Sequence, residues 1–185
     1  HPLPASTENP KQNAEINVIG TLNILDAARK NDIEKVFFSS ASSLVGEVTE
    51  VPVPENHPAH PQSPYGVAKH AVEEYLDVYR QLYDLDYLVF RFFNVYGPYQ
   101  HPESGALVPV VLSRLAEDKG VFVTGDGSQT RDFIYVRDIT ELIVEGLESE
   151  VANEVVNMGR GVETSILDAI NEMADVIGVD PDIER

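Results

Sequence analysis

Segments with the character of buried strands alternate with segments of helical periodicity along this chain of 185 residues. The strongest strand signal is Tyr87–Val95 (YLVFRFFNV), an almost continuous apolar and aromatic run that ends at Gly97 and Pro98. Shorter runs of the same kind occur at Lys35–Ser40 and Glu154–Met158. Apolar strands separated by helices are typical of parallel sheets whose two faces are both covered. The alternation therefore predicts an α/β fold with a largely parallel sheet.

Two long helices are predicted on either side of a proline-rich connection. The helix over 11–30 is apolar on more than one side, so it needs two packing partners, which could be the sheet and a second subunit. The helix over 64–84 begins at Ser63-Pro64, an N-cap residue followed by proline at the first helical position. The connection over 47–64 is too long for a simple turn and predicts a functional loop. Further helices are expected over 106–118, 137–149 and 165–177, and short strands over 121–123 and 133–136.

Composition excludes several classes of function. The chain carries 13 Lys and Arg against 31 Asp and Glu, a net charge of -18, and such a surface repels nucleic-acid backbones. No apolar run is long enough to span a membrane, so no membrane partner is predicted. The absence of cysteine excludes disulfides and thiol catalysis and fits a cytoplasmic location. The histidines lack the spacing of a zinc site, so no metal centre is predicted.

Tyr65 and Lys69 form the candidate catalytic pair. Residues four apart lie on the same face of a helix, so the Lys69 ammonium can approach the Tyr65 phenol. A free tyrosine has a pKa near 10 and is a poor base at neutral pH. A neighbouring cation and the first turn of a helix both favour the phenolate, so we expect the pKa of Tyr65 to be lowered. The pair then predicts an acid/base centre.

Five segments follow one another along the chain: NVIGT (17–21), FFSSASSLVG (37–46), SPYGVAK (63–69), RFFNVYGP (91–98) and GDG through TRDFIYV (125–136). In this order they resemble segments of the extended short-chain dehydrogenases/reductases, most closely the UDP-galactose 4-epimerase type. The resemblance covers nearly the whole chain and implies NAD as cofactor and a UDP-sugar as substrate. It also implies a partial Rossmann-like, doubly wound, mostly parallel sheet with part of a small C-terminal substrate lobe.

The resemblance implies roles for residues of the catalytic and cofactor site. Tyr65 would be the acid/base, and Lys69 would assist it and hold the nicotinamide ribose. A serine at the end of the 35–40 strand would contact the reacting sugar hydroxyl, but the family position, five residues before Gly46, is Ala41 here. We favour Ser42 or Ser43 as the residue that contacts the sugar hydroxyl in its place. Alternatively, one residue is inserted here and Ser40 is the equivalent. Ser40 and Phe92 are also assigned to the cofactor.

Four further residues are implied for the nucleotide sugar. Asn94 and Arg131 would contact the diphosphate, a role that suits guanidinium geometry. Arg131 could instead pair with the adjacent Asp132, and we favour the phosphate. Backbone around Leu107 and Phe122 would frame the uracil.

The implied reaction is epimerisation of UDP-glucose and UDP-galactose, by hydride removal and return at C4 with Tyr65 moving the proton. A nucleotide-sugar dehydratase or reductase is an alternative. Dehydratases of the family carry acidic residues where Ser42-Ser43-Leu44 stands, which disfavours dehydration. A second alternative is an inactive fragment that only folds and oligomerises, because no glycine-rich G-x-G-x-x-G turn occurs in the sequence.

The resemblance also implies a domain organisation. Residues 1–98, with later elements from about 131–160, would belong to the NAD-binding domain, and 99–130 and 160–185 to the nucleotide-sugar lobe. The chain is expected to lack the first βαβ units of the family. The helices at 11–30 and 64–84 are those through which family members dimerise, so a homodimer is predicted.

Overall fold

The computed structural model describes residues 3–185, with side chains from residue 5 onward. The α-helices are α1 (Leu3–Glu8), α2 (Pro10–Ala14), α3 (Gly20–Lys30), α4 (Pro64–Tyr83), α5 (Leu107–Ala116), α6 (Val136–Glu148) and α7 (Ile166–Ile177). The strands are β1 (Lys35–Ala41), β2 (Asp86–Phe92), β3 (Asn94–Tyr96), β4 (Val121–Phe122), β5 (Thr130–Arg131), β6 (Phe133–Tyr135), β7 (Glu154–Met158), β8 (Thr164–Ser165) and β9 (Ile183–Glu184). None of the helices in this described range is long and apolar enough to cross a membrane.

The predicted 11–30 helix is interrupted by a π-helical segment. Helix α2 starts at an Asn9 cap, whose side chain accepts from the Gln12 amide at 3.2 Å, and a π-helical segment at Glu15–Ile19 links α2 to α3. Within this region the Asn17 side chain donates to the Asn13 carbonyl and the Thr21 hydroxyl to the Asn17 carbonyl. Side-chain bonds to a helix's own backbone bend or widen it, which a pattern of apolar positions does not reveal.

The chain divides into two compact units. The first comprises 1–93 and 138–158, as far as it is described, and contains a parallel sheet in the order β1-β2-β7. Tyr87 and Val89 of β2 join the core cluster that contains residues of α3 and α4. On the opposite face, a Cβ added at Gly146 of α6 would meet Phe90 and Leu88 of β2. Helices therefore cover both faces of the sheet, which confirms the predicted α/β, doubly wound, Rossmann-like class.

The second unit comprises 94–137 and 159–185. Its core contains residues from α5, β4 and α7, among them Val111, Val121 and Ile170. β3 runs parallel to β6, β4 runs parallel to β9, and β5 pairs antiparallel with β8. The predicted strand over Tyr87–Val95 is in fact two strands, β2 and β3, which break at Phe93 and belong to different units. β8 and β9 are two residues each, too short for a period of two to predict.

The assignment of 1–98 and 131–160 to a cofactor domain, and of 99–130 and 160–185 to a substrate lobe, remains a prediction. Residues 1 and 2 of the first range lie outside the described residues.

Candidate active site

Tyr65 lies in the first turn of α4 because the residues around it specify a helix start. Ser63 has extended backbone angles, and its hydroxyl accepts the Gly66 amide at 3.1 Å. Pro64 follows at the first helical position, where its missing N–H costs nothing. Gly66 is needed for close approach: a Cβ there would lie 2.6 Å from the Ser43 carbonyl oxygen. The helix start is therefore packed directly on the 3-10 turn Ser42–Leu44 that follows β1.

Lys69 is held beside Tyr65 and beside the end of β1. Its Nζ donates to the Ser39 carbonyl at 2.7 Å. The same nitrogen lies 4.8 Å from the centroid of the Phe38 ring and 5.5 Å from that of the Tyr65 ring. One ammonium N–H is therefore committed to the strand, while the other two remain for further acceptors.

Burial acts on both members of the pair and favours their neutral forms. It raises the pKa of the Tyr65 phenol and lowers the pKa of the Lys69 ammonium. The direction for Tyr65 is opposite to the sequence expectation that Lys69 lowers its pKa. In this structure desolvation outweighs the cation, which is bonded to the Ser39 carbonyl rather than to the phenol. Tyr65 is accordingly protonated at neutral pH and suited to donate a proton.

The candidate serines have different environments. Ser40 is only 1% exposed, and its hydroxyl donates to Glu73 Oε1 at 2.5 Å, so the geometry does not favour the predicted contact between Ser40 and the cofactor. Ser42 and Ser43 lie in the turn against which α4 begins. The Ser43 hydroxyl is buried without a hydrogen-bond partner among the described residues. Ala41, which ends β1, offers no hydroxyl, and Phe92 ends β2 opposite it.

The same unit contains a buried ion pair that was not predicted from the sequence. Arg91 of β2 donates from Nη2 to Glu73 Oε2 at 2.6 Å, and its Nε lies 3.1 and 3.2 Å from the two carboxylate oxygens. Two signals were available in the sequence. Arg91 is the one charged residue in the apolar run Tyr87–Val95, and Glu73 stands four residues after Lys69, on the same face of the helix.

The four predicted substrate residues all belong to the second unit. The Asn94 side chain donates to the Asp132 carbonyl at 3.1 Å, so its amide N–H is used to join β3 to the chain before β6. Leu107 begins α5 and is half-buried, while Phe122 of β4 is 65% exposed.

Arg131 is exposed and does not pair with its neighbour Asp132. Its Nη1 donates to the Thr130 carbonyl at 2.7 Å, and no carboxylate among residues 5–185 forms an ion pair with it. The Asp132 carboxylate instead accepts the amides of Arg160 and Gly161 at 2.8 to 3.0 Å. The guanidinium thus keeps free donors for an anion.

In chemical terms, the first unit offers a half-buried phenol, an adjacent amine and nearby hydroxyls. This set can transfer a proton to or from a hydroxyl or carbonyl oxygen. The second unit offers an unpaired guanidinium and exposed apolar surface, which can contact an anionic ligand with a flat ring. Across the described residues, no group of three or more His, Asp or Glu is arranged to hold a metal ion.

Known proteins resemble the chain over most of its length. The family model described as "NAD dependent epimerase/dehydratase family" matches residues 3–159. A putative UDP-glucose 4-epimerase of Methanocaldococcus jannaschii is 42% identical over 174 residues, which are 93% of this chain and 55% of that protein. The crystal structure of a UDP-glucose 4-epimerase with UDP-glucose, from Thermotoga maritima, is 34% identical with a TM-score of 0.92, covering 97% of this chain and 60% of that one.

A dTDP-glucose 4,6-dehydratase of Streptomyces venezuelae, solved with NAD bound, is 27% identical with a TM-score of 0.91, covering 100% of this chain and 57% of that one. The chain therefore spans little more than half the length of the proteins it matches. The segments that resembled the extended short-chain dehydrogenases/reductases lie within these matches. The chain belongs to the NAD dependent epimerase/dehydratase family.

Proposed function

We propose that this chain carries the acid/base centre of an NAD-dependent nucleotide-sugar epimerase, of the UDP-glucose/UDP-galactose 4-epimerase type. The single observation that carries the proposal is the Tyr65–Lys69 pair, with Lys69 Nζ 5.5 Å from the Tyr65 ring. The similarity to UDP-glucose 4-epimerases supports the same conclusion at the level of the family.

In the proposed reaction Tyr65 moves the proton of the sugar 4-hydroxyl. Burial keeps the phenol protonated at neutral pH, so its natural part is to donate a proton to the 4-keto oxygen as the sugar is reduced again. In the forward step the same oxygen accepts the 4-hydroxyl proton, so Tyr65 first releases its own proton to solvent and acts as the phenolate, which the adjacent Lys69 ammonium stabilises. Ser43, or Ser42 beside it, would donate a hydrogen bond to the same oxygen, and its unpartnered hydroxyl fits that role.

NAD, when bound, supplies hydride transfer at C4 of the sugar. The residues present fit its nicotinamide-ribose end: Lys69 has N–H donors beyond the one used by Ser39, and Tyr65 lies beside it. We assign Phe92 to the same end as a packing residue. No G-x-G-x-x-G string occurs in the 185 residues, so we assign the pyrophosphate contacts to no residue of this chain.

We propose a UDP-sugar as substrate, recognised by the second unit. The Arg131 guanidinium, which has no carboxylate partner among the described side chains, is suited to bind a diphosphate oxygen. Phe122 and Leu107 provide apolar surface for the uracil. Asn94 would contribute through the side-chain N–H that does not donate to the Asp132 carbonyl.

We also propose a homodimer formed through α4 and the helices that precede β1. Large apolar side chains are exposed along one face of α4, at Val67, Tyr75, Val78 and Leu82, the last at 66%. Beside the start of α4 a groove of about 490 Å³ is lined mostly by Pro and Ala. Exposed apolar side chains grouped on one helix face are typical of an interface. The composition without cysteine is compatible with the proposed cytoplasmic location.

The direct test is ligand binding by the purified chain, followed by turnover. Absorbance and fluorescence should reveal NAD that is retained or added, and calorimetry should detect UDP. Replacing Arg131 with Ala should weaken UDP binding while leaving NAD binding unchanged. If the chain interconverts UDP-glucose and UDP-galactose, Tyr65→Phe should abolish turnover, with Tyr83→Phe at the end of the same helix as control. A chain that binds neither ligand would support the inert fragment instead.

A nucleotide-sugar dehydratase is the second candidate, because the Streptomyces venezuelae enzyme aligns with a TM-score of 0.91. The turn Ser42–Leu44 carries no acidic residue to assist the loss of water. Incubation with dTDP-glucose and UDP-glucose, followed by mass spectrometry, separates the two: dehydration removes 18 mass units, and epimerisation removes none.

A further inference from the structure

Three residues form one row across the parallel sheet. Ser40 of β1 pairs with Arg91 of β2, and Arg91 pairs with Asn157 of β7. Side chains that are in register on neighbouring strands point to the same face of the sheet. Ser40 and Arg91 are buried, at 1% and 7% exposure, so a charged group lies within the core of this unit. A buried guanidinium requires a complete set of partners.

The first set of partners joins the row to α4. Both oxygens of Glu73 accept from Arg91, with Nη2 to Oε2 at 2.6 Å, and Oε1 also accepts the Ser40 hydroxyl at 2.5 Å. One turn earlier on the same face of α4, Lys69 donates to the carbonyl of Ser39. Two consecutive residues of β1 are thus bonded to two residues of α4 that are one turn apart.

The second set of partners joins the same row to the proline-rich connection. Arg91 Nη1 donates to the Glu55 carbonyl at 2.7 Å. The backbone N–H of Asn157 donates to Glu55 Oε1 at 3.0 Å, and the Asn157 side-chain amide donates to the Val53 carbonyl at 2.8 Å. This connection leads directly into α4, so the row holds the helix both through Glu73 and through the segment that precedes its first turn.

We propose that Ser40 and Arg91, acting together through Glu73, are positioning residues that hold α4 where Lys69 meets the Ser39 carbonyl and the Tyr65 ring. With the contact at Ser40 intact, the helix has two attachments to β1 and cannot rotate about its axis. With that contact broken, the Lys69 bond is the one side-chain hydrogen bond left between α4 and β1 among the described residues, and the lysine can leave the strand. The inference deepens the proposed function, since it takes Lys69 as part of the active site.

The alternative is that the contacts among Ser40, Glu73 and Arg91 only stabilise the fold. A purely structural pair, once weakened, lowers the free energy of unfolding but leaves Lys69 in place in the molecules that remain folded. A positioning pair moves Lys69 within the folded state. A signal that reports the location of the Lys69 side chain therefore separates the two.

The rings beside Lys69 provide such a signal. Lys69 Nζ lies 4.8 Å from the Phe38 centroid, so ring currents shift the resonances of its terminal methylene. The sequence contains five lysines, and protein labelled with carbon-13 at lysine alone gives a spectrum simple enough to assign with a Lys69→Gln variant. Lys35, at the other end of β1, serves as internal reference. Its Nζ lies 5.3 Å from the centroid of the Phe37 ring and donates to the Ser149 carbonyl.

The decisive variants are Ser40→Ala and Arg91→Lys. Ser40→Ala removes the bond between β1 and Glu73 but keeps the buried ion pair, so it should fold even if Arg91→Lys does not. Glu74→Gln, at the exposed neighbouring position, is the matched control. We expect the Lys69 methylene signal to move toward that of exposed Lys11 in Ser40→Ala and further in Arg91→Lys, with Lys35 unchanged.

A Lys69 signal that stays at its original shift in folded Ser40→Ala, despite lowered stability, would overturn the proposal. The measurement uses neither NAD nor UDP. Failure of the proposed function would appear as absent ligand binding, whereas failure of this inference would appear as an unmoved Lys69.

Discussion

Gly66 and Ser43 are in close backbone contact: a Cβ on Gly66 would lie 2.6 Å from the Ser43 carbonyl oxygen and 3.0 Å from the Pro61 Cβ. Neither a carbonyl in a 3-10 turn nor a proline ring can move aside easily. The contact fixes the start of α4 on the turn that carries the candidate hydroxyls. The glycine of the Tyr-Gly-Val-Ala-Lys segment is therefore explained by packing.

Replacing Gly66 with Ala should destabilise the protein by about 1–3 kcal/mol, the usual cost of overpacking. Gly20, also helical, is the matched control, because the nearest atom to an added Cβ is the Glu15 carbonyl oxygen at 3.8 Å, an ordinary contact distance. Gly20→Ala should raise stability by up to about 1 kcal/mol through helix propensity. Urea unfolding followed by circular dichroism measures both, and a shift of the same sign in the two variants would contradict the packing argument.

The Ser63 cap should contribute about 1 kcal/mol to stability. Its hydroxyl accepts the Gly66 amide, which otherwise has no partner in the first turn. Ser63→Ala should lose that contribution, and Ser63→Asp should retain it, because a carboxylate can accept the same bond and favours the positive end of the helix. Equal urea midpoints for the Ala and Asp variants would show that the cap contributes nothing.

The local part of the site could be predicted from sequence. Ser63-Pro64 predicted the start of α4 at the observed residue, because capping and proline act within one turn of the chain. The spacing of four between Tyr65 and Lys69 placed both on one helical face for the same reason. The sheet was predictable because buried parallel strands are continuous apolar runs.

The non-local part could not be predicted. The rise in the Tyr65 pKa follows from burial. The Lys69 ammonium donates to the Ser39 carbonyl, 30 residues away, rather than to the phenol. Ser40 pairs with Glu73, so its side chain direction follows from the contacts of α4 with β1 rather than from its place in the Ser-rich motif. The break of the predicted strand at Phe93 likewise reflects a change of unit.

The Glu73–Arg91 pair allows a prediction about buried charge. Removing one partner, as in Glu73→Leu, leaves the Arg91 guanidinium buried without a counter-ion and should cost about 3–5 kcal/mol. Replacing both, as in Glu73→Leu with Arg91→Met, should recover most of that loss, because well-packed apolar residues avoid the desolvation of two ions. The double-mutant cycle in urea is the measurement, and additive losses would contradict it.

The exposed face of α4 allows a prediction about assembly. Leu82→Lys places a charge on the face proposed to meet a second copy, where Leu82 is 66% exposed. Light scattering should show the dimer of the parent chain replaced by a monomer, with little change in circular dichroism. Val176→Lys, at an apolar position that is 87% exposed on α7, is the control and should leave the dimer intact.

Burial of Tyr65 and Lys69 makes alkaline stability depend on this pair. The pKa of Tyr65 is raised, so above about 10 the folded chain retains a proton that the unfolded chain releases, and stability falls as the pH rises. The pKa of Lys69 is lowered, so just below the ordinary lysine pKa the unfolded chain binds a proton that the folded chain does not, and stability rises with pH.

Tyr65→Phe should therefore flatten the fall in stability at alkaline pH, and Lys69→Met should remove the rise that precedes it. The pKa values of Tyr79 and Tyr87 are also raised, and they change the pH dependence of stability equally in the parent and in Tyr65→Phe. The free energy of unfolding of both proteins is measured in urea from pH about 8 to about 11, and the difference between the two curves is the contribution of Tyr65. Parallel curves for the parent and Tyr65→Phe would mean that the phenol is not desolvated by folding.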